Sequence, residues 1–299
     1  GEATVSPTTI TFQPSEWNTF KEVTVTGVDD VIIDGNISTT VTFSIDADNS
    51  DNNFDSLDPK SVNISNTDND TASLELSTGT LTITEGSTDT FTVRLSAQPS
   101  NDVVLTVASS ETAQATFSPE TITFTSANWD DASHGTVTVT AVDDAIVDGN
   151  VNATISITAA SSDTDFNGKA GSVIVTTVDN DTAGFTLLNN EGNPLASTIT
   201  IQEGSTSTIR IVLNAKPNSN VVLSISTGDD TEVTVSPGTI TFTTTNWNNA
   251  SHGEVILTGV NDGVSDGNQT TVITVSTASS DTNFDSVDDQ TFNVITEDS

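Results

Sequence analysis

Cysteine, methionine and tyrosine are absent from the 299 residues. Without Cys the chain forms no disulfide, no thiolate zinc site and no thiol nucleophile. Basic residues are almost as scarce: 6 Lys+Arg stand against 42 Asp+Glu, a formal charge of −36. Phosphate contacts need Lys and Arg, so nucleic acid is excluded as a partner, and adsorption to anionic membranes is disfavoured. No apolar run approaches the length of a membrane-spanning helix, so membrane insertion is not expected. The first residues read neither as a signal peptide nor as an initiator. Histidine occurs only as His134 and His252, and no phosphate-cradling glycine loop is present. With Ser and Thr too frequent for any one to stand out as a nucleophile, no enzyme is expected.

Thr (55) and Ser (36) dominate what is there, and the acids divide into 30 Asp and 12 Glu. Asp is a poor helix former, and a surplus of Asp, Asn, Gly, Ser and Thr points to turns and loops. The apolar third of the chain is mostly Val, Ile, Leu and Phe in alternating runs, unlike a disordered acidic tail.

The sequence repeats. Trp17, Trp129 and Trp247 sit in related contexts, 112 and 118 residues apart. Asp34-Gly35-Asn36 recurs as Asp148-Gly149-Asn150 and Asp266-Gly267-Asn268, and Ser6-Pro7 recurs as Ser118-Pro119 and Ser236-Pro237. Glu85-Gly86-Ser87 recurs as Glu203-Gly204-Ser205. A period of about 115 residues is the size of one β-sandwich domain. We therefore expect a complete repeat over 71–182 and another over 183–299 with an insertion near 188–195. Residues 1–70 match only the latter part of a repeat, so the chain reads as a window on a longer array, with another chain as the alternative source of the missing strands. The insertion is either a contact site between chains or a longer first strand with a bulge.

Runs such as Phe91-Thr92-Val93-Arg94-Leu95 and Val137-Thr138-Val139 have the period of half-buried strands, and nothing has a helical period. The expected fold is all-β: tandem seven-stranded immunoglobulin-like sandwiches. In 71–182 the strands are A 73–84, B 88–95, C 102–108, D 115–125, E 135–142, F 152–159 and G 171–178. Antiparallel alternation places the A–B, C–D and E–F loops and the exit of G at one tip. That tip collects Glu85, Glu111, Asp143, Asp144, Asp148, Asp179 and Asp181. The matching residues are Glu203, Asp229 or Asp230, Asp262, Asp266, Glu297 and Asp298 in the last repeat, where Asn261 replaces one acid. In the first they are Asp29, Asp30, Asp34, Asp68 and Asp70. Such a cluster repels itself unless neutralised, and Ca²⁺, which takes six to eight oxygen ligands in irregular geometry, suits it. Acidic loops that serve only solubility are the alternative. The opposite tip collects Trp129, His134 and Phe166, with Trp247, His252 and Phe284 in the last repeat. These either plug the sandwich end or bind a glycan ring, and the structural role is favoured.

Ile83-Thr84-Glu85-Gly86, Val142-Asp143-Asp144 followed by Asp148, and Val178-Asp179-Asn180-Asp181 together resemble tandem Calx-β domains, the calcium-binding modules of sodium–calcium exchangers and of large bacterial surface proteins. The Ser-Pro, Thr-Ile-Thr-Phe and Asn-Trp elements are similar to the secreted bacterial branch. The resemblance covers nearly the whole chain and implies Ca²⁺ ligation by Glu85, Asp143, Asp144, Asp148, Asp179 and Asp181. Asn180 interrupts the terminal acids, and Ala115 or a neighbour stands where the exchangers carry a C–D Asp, which implies fewer ions per domain than in the exchangers. The expected function is a structural extender of an extracellular filament, stalk or surface layer. Its partners are neighbouring repeats and other copies, with Ca²⁺ stiffening the junctions. An adhesin segment binding a glycan or a protein is the alternative.

Overall fold

The computed structural model describes residues 1–298. Twenty-two strands account for nearly all regular structure among them. They are β1 (Ala3–Ser6), β2 (Thr24–Gly27), β3 (Ile37–Phe43), β4 (Lys60–Asn66), β5 (Leu74–Leu76), β6 (Thr80–Thr84), β7 (Thr88–Leu95), β8 (Val103–Ser109), β9 (Ala115–Ser118), β10 (Thr121–Phe124) and β11 (Thr136–Ala141). They continue as β12 (Val151–Ser161), β13 (Ala170–Val178), β14 (Phe185–Asn189), β15 (Thr198–Gln202), β16 (Thr206–Leu213), β17 (Val221–Thr227), β18 (Val233–Ser236), β19 (Thr239–Phe242), β20 (Glu254–Gly259), β21 (Gln269–Ser279) and β22 (Gln290–Glu297). A one-turn helix, α1 (Thr282–Asp285), precedes β22. No helix is long and apolar enough to cross a membrane.

The chain divides into two compact units. One comprises 1–81, 88–140 and 153–175; the other comprises 82–87, 141–152 and the chain from Thr176 onward. In the second, β15-β22-β21-β17-β19 form a five-stranded sheet and β14-β16-β20-β18 a four-stranded one. Their facing positions alternate buried with exposed, as in Ile209, Ile211 and Leu213 of β16 and Val221, Leu223 and Ile225 of β17, and close one core around Phe242, Phe284 and Phe292. Residues 71–178 repeat both strand orders as β6-β13-β12-β8-β10 and β5-β7-β11-β9.

The all-β sandwich expected from the alternation is present, with one refinement. Strands A and D each break in two and change sheets. The first part of A, β14, pairs antiparallel with β16, and the second, β15, pairs parallel with β22. D becomes β18, paired with β20, and β19, paired with β17, so each complete set has nine strands where periodicity gives seven. The insertion lies at the break in A. Asn189 accepts from Gly192 N–H through its carbonyl and from Glu191 and Asn193 N–H through its side chain, folding 189–193 into a turn before the chain resumes on the other sheet. Neither a simple bulge nor an extended strand describes it.

Residues 1–70 form two hairpin-like pairs, β1–β2 and β3–β4, and contain no buried side chain. Val25 is half-buried, while Phe43 and Ile45 are exposed. Gly135 and Gly253 show how tightly strand B closes the complete sandwiches: a Cβ at either would strike the carbonyl of Val93 or Ile211.

Candidate metal centre

Three strand ends converge on Glu85. It leaves β6 with its N–H bonded to the Val178 carbonyl at 3.1 Å, and Gly86, at φ 74°, bonds the Ala141 carbonyl at 3.1 Å. A positive φ suits glycine and turns the chain sharply behind the acid. The carboxylates of Glu85, Asp179 and Asp181 bring ligand oxygens within 4.8 Å of one another. Asp179 is anchored by Gly149 N–H at 2.7 Å and by Asp181 N–H at 2.8 Å. Asn180 donates to the Glu85 carbonyl at 3.2 Å and to Asp143 Oδ1 at 3.3 Å, so it braces the site. Asp144 caps its own loop by accepting from Ile146 N–H at 2.7 Å.

Glu85 is only 4% exposed, and its Oε2, like Oδ2 of Asp181, is buried with no hydrogen-bond partner. Burial, followed by the charges of Asp144, Asp179, Asp148 and Asp181, pushes the Glu85 carboxyl up to about 7. Burial and neighbouring carboxylates raise Asp148 and Asp181 as well. None of the three ion pairs among the described residues reaches this tip. Orphaned acceptor oxygens on two of three carboxylates that approach one another, outside every ion pair among the described residues, match the donor set of a hard divalent ion.

The other two tips are built differently. One groups Glu2, Asp30 and Asp34, and the other groups Glu232, Asp262 and Asp266. The first lines a cleft of about 260 Å³ with Asp29, Asp68 and Asp70. Asp68 accepts from Gly35 and Asp70 N–H, which holds its carboxyl below the usual range, whereas burial and neighbouring acids raise Asp34 and Asp70. In the last repeat burial raises Glu232, and Asp266, Asp262 and Asp229 add to the rise against the bond from Thr296.

Sequence reasoning missed Glu2 and Glu232. Each directly precedes the Ala/Val-Thr-Val-Ser-Pro run that opens strand D, and Gln114 holds that place in 71–182. That alignment was the available signal. Glu111 is exposed and joins none of the three groups. Asp229 caps Thr231, and Asp298 accepts from Gly267 N–H and Ser265 Oγ, so both support loops. Glu203 and Glu297 meet through the backbone, Glu203 N–H to the Glu297 carbonyl at 3.0 Å.

At the opposite tip Phe166 and Phe284 are buried. The Trp129 and Trp247 carbonyls accept from Leu95 and Leu213 N–H at 2.9 Å. His134 and His252 pack edge-on against Phe124 and Phe242 and bond the carbonyls of Thr123 and Thr241 through Nε2. Phe166 and Phe284 thus belong to the cores, and each imidazole is fixed against a core phenylalanine.

The E–F loops do more than carry acids. The Lys216 N–H bonds the Ala145 carbonyl at 2.6 Å beside a parallel bridge between Ile146 and Lys216. Asn283 Nδ2 bonds the Val147 carbonyl at 2.8 Å, and Val147 packs on the core of the last repeat. Gln98 N–H bonds the Val31 carbonyl at 2.7 Å with the same bridge to Ile32. Each docking segment lies between two acids, Asp30 and Asp34 or Asp144 and Asp148.

No protein-family model matches the chain, and no curated protein matches it. Solved structures do. Tandem immunoglobulin domains A164–A165 of titin overlap with a TM-score of 0.23 at 12% identity, covering 77% of this chain and 98% of that one. Mouse cadherin-23 domains EC22–24 overlap at 0.28 and 10%, covering 88% and 74%. The E. coli chaperone DraB overlaps at 0.27 and 9%, covering 75% and 96%.

Proposed function

We propose that this chain is an extender segment of an extracellular repeat protein of Calx-β type, with Ca²⁺ at the acidic tip of each repeat. The observation that carries the reading is the pair of buried, unpartnered oxygens on Glu85 and Asp181, beside Asp179 and outside every ion pair among the described residues. A bound Ca²⁺ supplies the missing positive charge. Glu85, Asp179 and Asp181 are its ligands in 71–182, with Asp144 and Asp148 adding negative potential. Glu2, Asp30 and Asp34, and Glu232, Asp262 and Asp266, hold it at the other tips. In 71–182, Asp179 and Asn180 are bonded to Gly149 N–H and to Asp143 at the two ends of the E–F loop, which links the ion to that loop, and the middle of the loop docks on the following B–C loop. Ion binding thereby stiffens the junction, which suits a surface filament, stalk or layer.

Isothermal titration of chelator-treated protein with Ca²⁺, paired with thermal unfolding, tests this. The expected result is saturable binding with a raised melting temperature. No binding heat together with an unchanged melting temperature would refute it.

A further inference from the structure

We propose that the F–G turn of 183–299 is a latch for the preceding repeat: Asn283 closes on the Val147 carbonyl, and the buried Asp281 positions both Asn283 and the B–C loop beside it. The turn carries a recurring sequence, Asp51-Asn52-Asn53-Phe54, Asp163-Thr164-Asp165-Phe166 and Asp281-Thr282-Asn283-Phe284. In both complete repeats its first acid is buried, Asp163 at 6% and Asp281 at 7% exposed. A buried carboxylate needs partners. Those of Asp281 are backbone donors from two segments: Asn218 N–H bonds Oδ2 at 2.7 Å and Asn283 N–H bonds Oδ1 at 3.0 Å. Asp163 repeats the arrangement with Ser100 N–H at 2.8 Å and Asp165 N–H at 3.0 Å. Each acid thus ties the F–G turn to the B–C loop through charge-assisted bonds. The hydroxyls of Ser280 and Ser219, 3.0 Å apart, add to the tie in the last repeat.

What those two elements hold is one short segment of the E–F loop. From the B–C loop, two residues before Asn218, Lys216 N–H bonds the Ala145 carbonyl. From the F–G turn, two residues after Asp281, Asn283 Nδ2 bonds the Val147 carbonyl. Val147 itself packs on the core of the same repeat. Both bonds end on carbonyl oxygens, which every residue offers, so the donors decide how firmly the segment is held. The backbone donor recurs: Gln98 N–H bonds the Val31 carbonyl in the same way. The side-chain donor does not. Asp165 stands in the place of Asn283, and an ionised carboxylate only accepts. The junction ahead of 183–299 thus carries a bond that the junction ahead of 71–182 lacks the donor to make. The residue two places after the buried acid sets the tightness of each. None of these residues is among the proposed ligands of Ca²⁺, so the latch acts without the ion.

The test is hydrogen exchange at single amides of the full chain in chelator. Lys216 N–H, bonded to the Ala145 carbonyl, reports the junction, and Leu213 N–H, bonded to the Trp247 carbonyl within the repeat, reports the sandwich. Asn283→Ala should speed exchange at Lys216 about five- to tenfold and leave Leu213 unchanged. Asn283→Asp, which copies Asp165, should speed it further, because a carboxylate then faces the Val147 carbonyl. Asp281→Asn should speed Asn218 and Lys216 together, relative to Leu213. Unchanged exchange at Lys216 in both Asn283 variants overturns the latch. So does a rise at Leu213 by the same factor, which marks a general loosening of the repeat. A rise at Asn218 alone in Asp281→Asn removes Asp281 from the positioning role.

Discussion

The backbone N–H of Lys216 meets the carbonyl oxygen of Ala145 at 2.6 Å, and Ala145 directly follows Asp144 in the E–F loop. Docking and acid placement are thus adjacent in one short segment. Val147 extends the same contact into the core of the last repeat. Val147→Asp would put a charge against apolar side chains, at a cost of about 1–3 kcal/mol. Thermal unfolding should show a lowered transition for the last repeat with or without Ca²⁺.

Glu85→Gln separates charge from shape. In chelated protein at pH 8 it removes a buried carboxylate held against four neighbouring acids, so the melting temperature should rise. The raised carboxyl, from an ordinary 4.5 to about 7, corresponds to about 3 kcal/mol in chelated protein. With Ca²⁺ the order reverses, because a charged ligand is lost, and titration should show affinity weakened by about tenfold or more.

The pH dependence of chelated protein follows from the same groups. Glu85, Asp148 and Asp181 are all raised, so the folded state holds protons that the unfolded chain has already released. Stability therefore falls as pH rises from about 4.5 to about 7 and levels off above. Saturating Ca²⁺ should cancel that fall. Melting temperatures at pH 5 and pH 8, with chelator and with Ca²⁺, check both halves.

Gln114→Glu gives 71–182 the acid that Glu2 and Glu232 supply to the other tips. A further charged oxygen should tighten Ca²⁺ several-fold and lower the melting temperature of chelated protein at neutral pH. Calorimetric titration reads the first effect and thermal unfolding the second.

Gly253→Ala tests the close approach of strand B. The new Cβ would collide with the Ile211 backbone, which cannot move without disturbing β16, so the last repeat should lose several kcal/mol or fail to fold. Circular dichroism against temperature reports it.

The strands were legible because Phe91, Val93 and Leu95 alternate with Thr92 and Arg94, and antiparallel alternation then puts Glu85, Asp144, Asp148, Asp179 and Asp181 at one end. The breaks in strands A and D were not legible. Thr80–Thr84 has the same alternation whichever sheet it joins, and only tertiary pairing to β13 decides. Glu2 and Glu232 escaped notice because the intact repeat carries Gln114 in their place. The bracing by Asn180 escaped because an Asn among acids reads as a missing ligand until its two hydrogen bonds are seen.

The parallel pairing of β15 with β22 has a mechanical consequence. Thr198 lies opposite Asn293 and Gln202 opposite Glu297, so five residue pairs join the start of the last repeat to its end. Tension pulling the two ends of that repeat apart shears these bonds together, along the strand axis, instead of peeling them one at a time. A shear-loaded patch yields at higher force than an unzipping hairpin of equal length, so the change of sheet in strand A should raise the force at which the repeat opens.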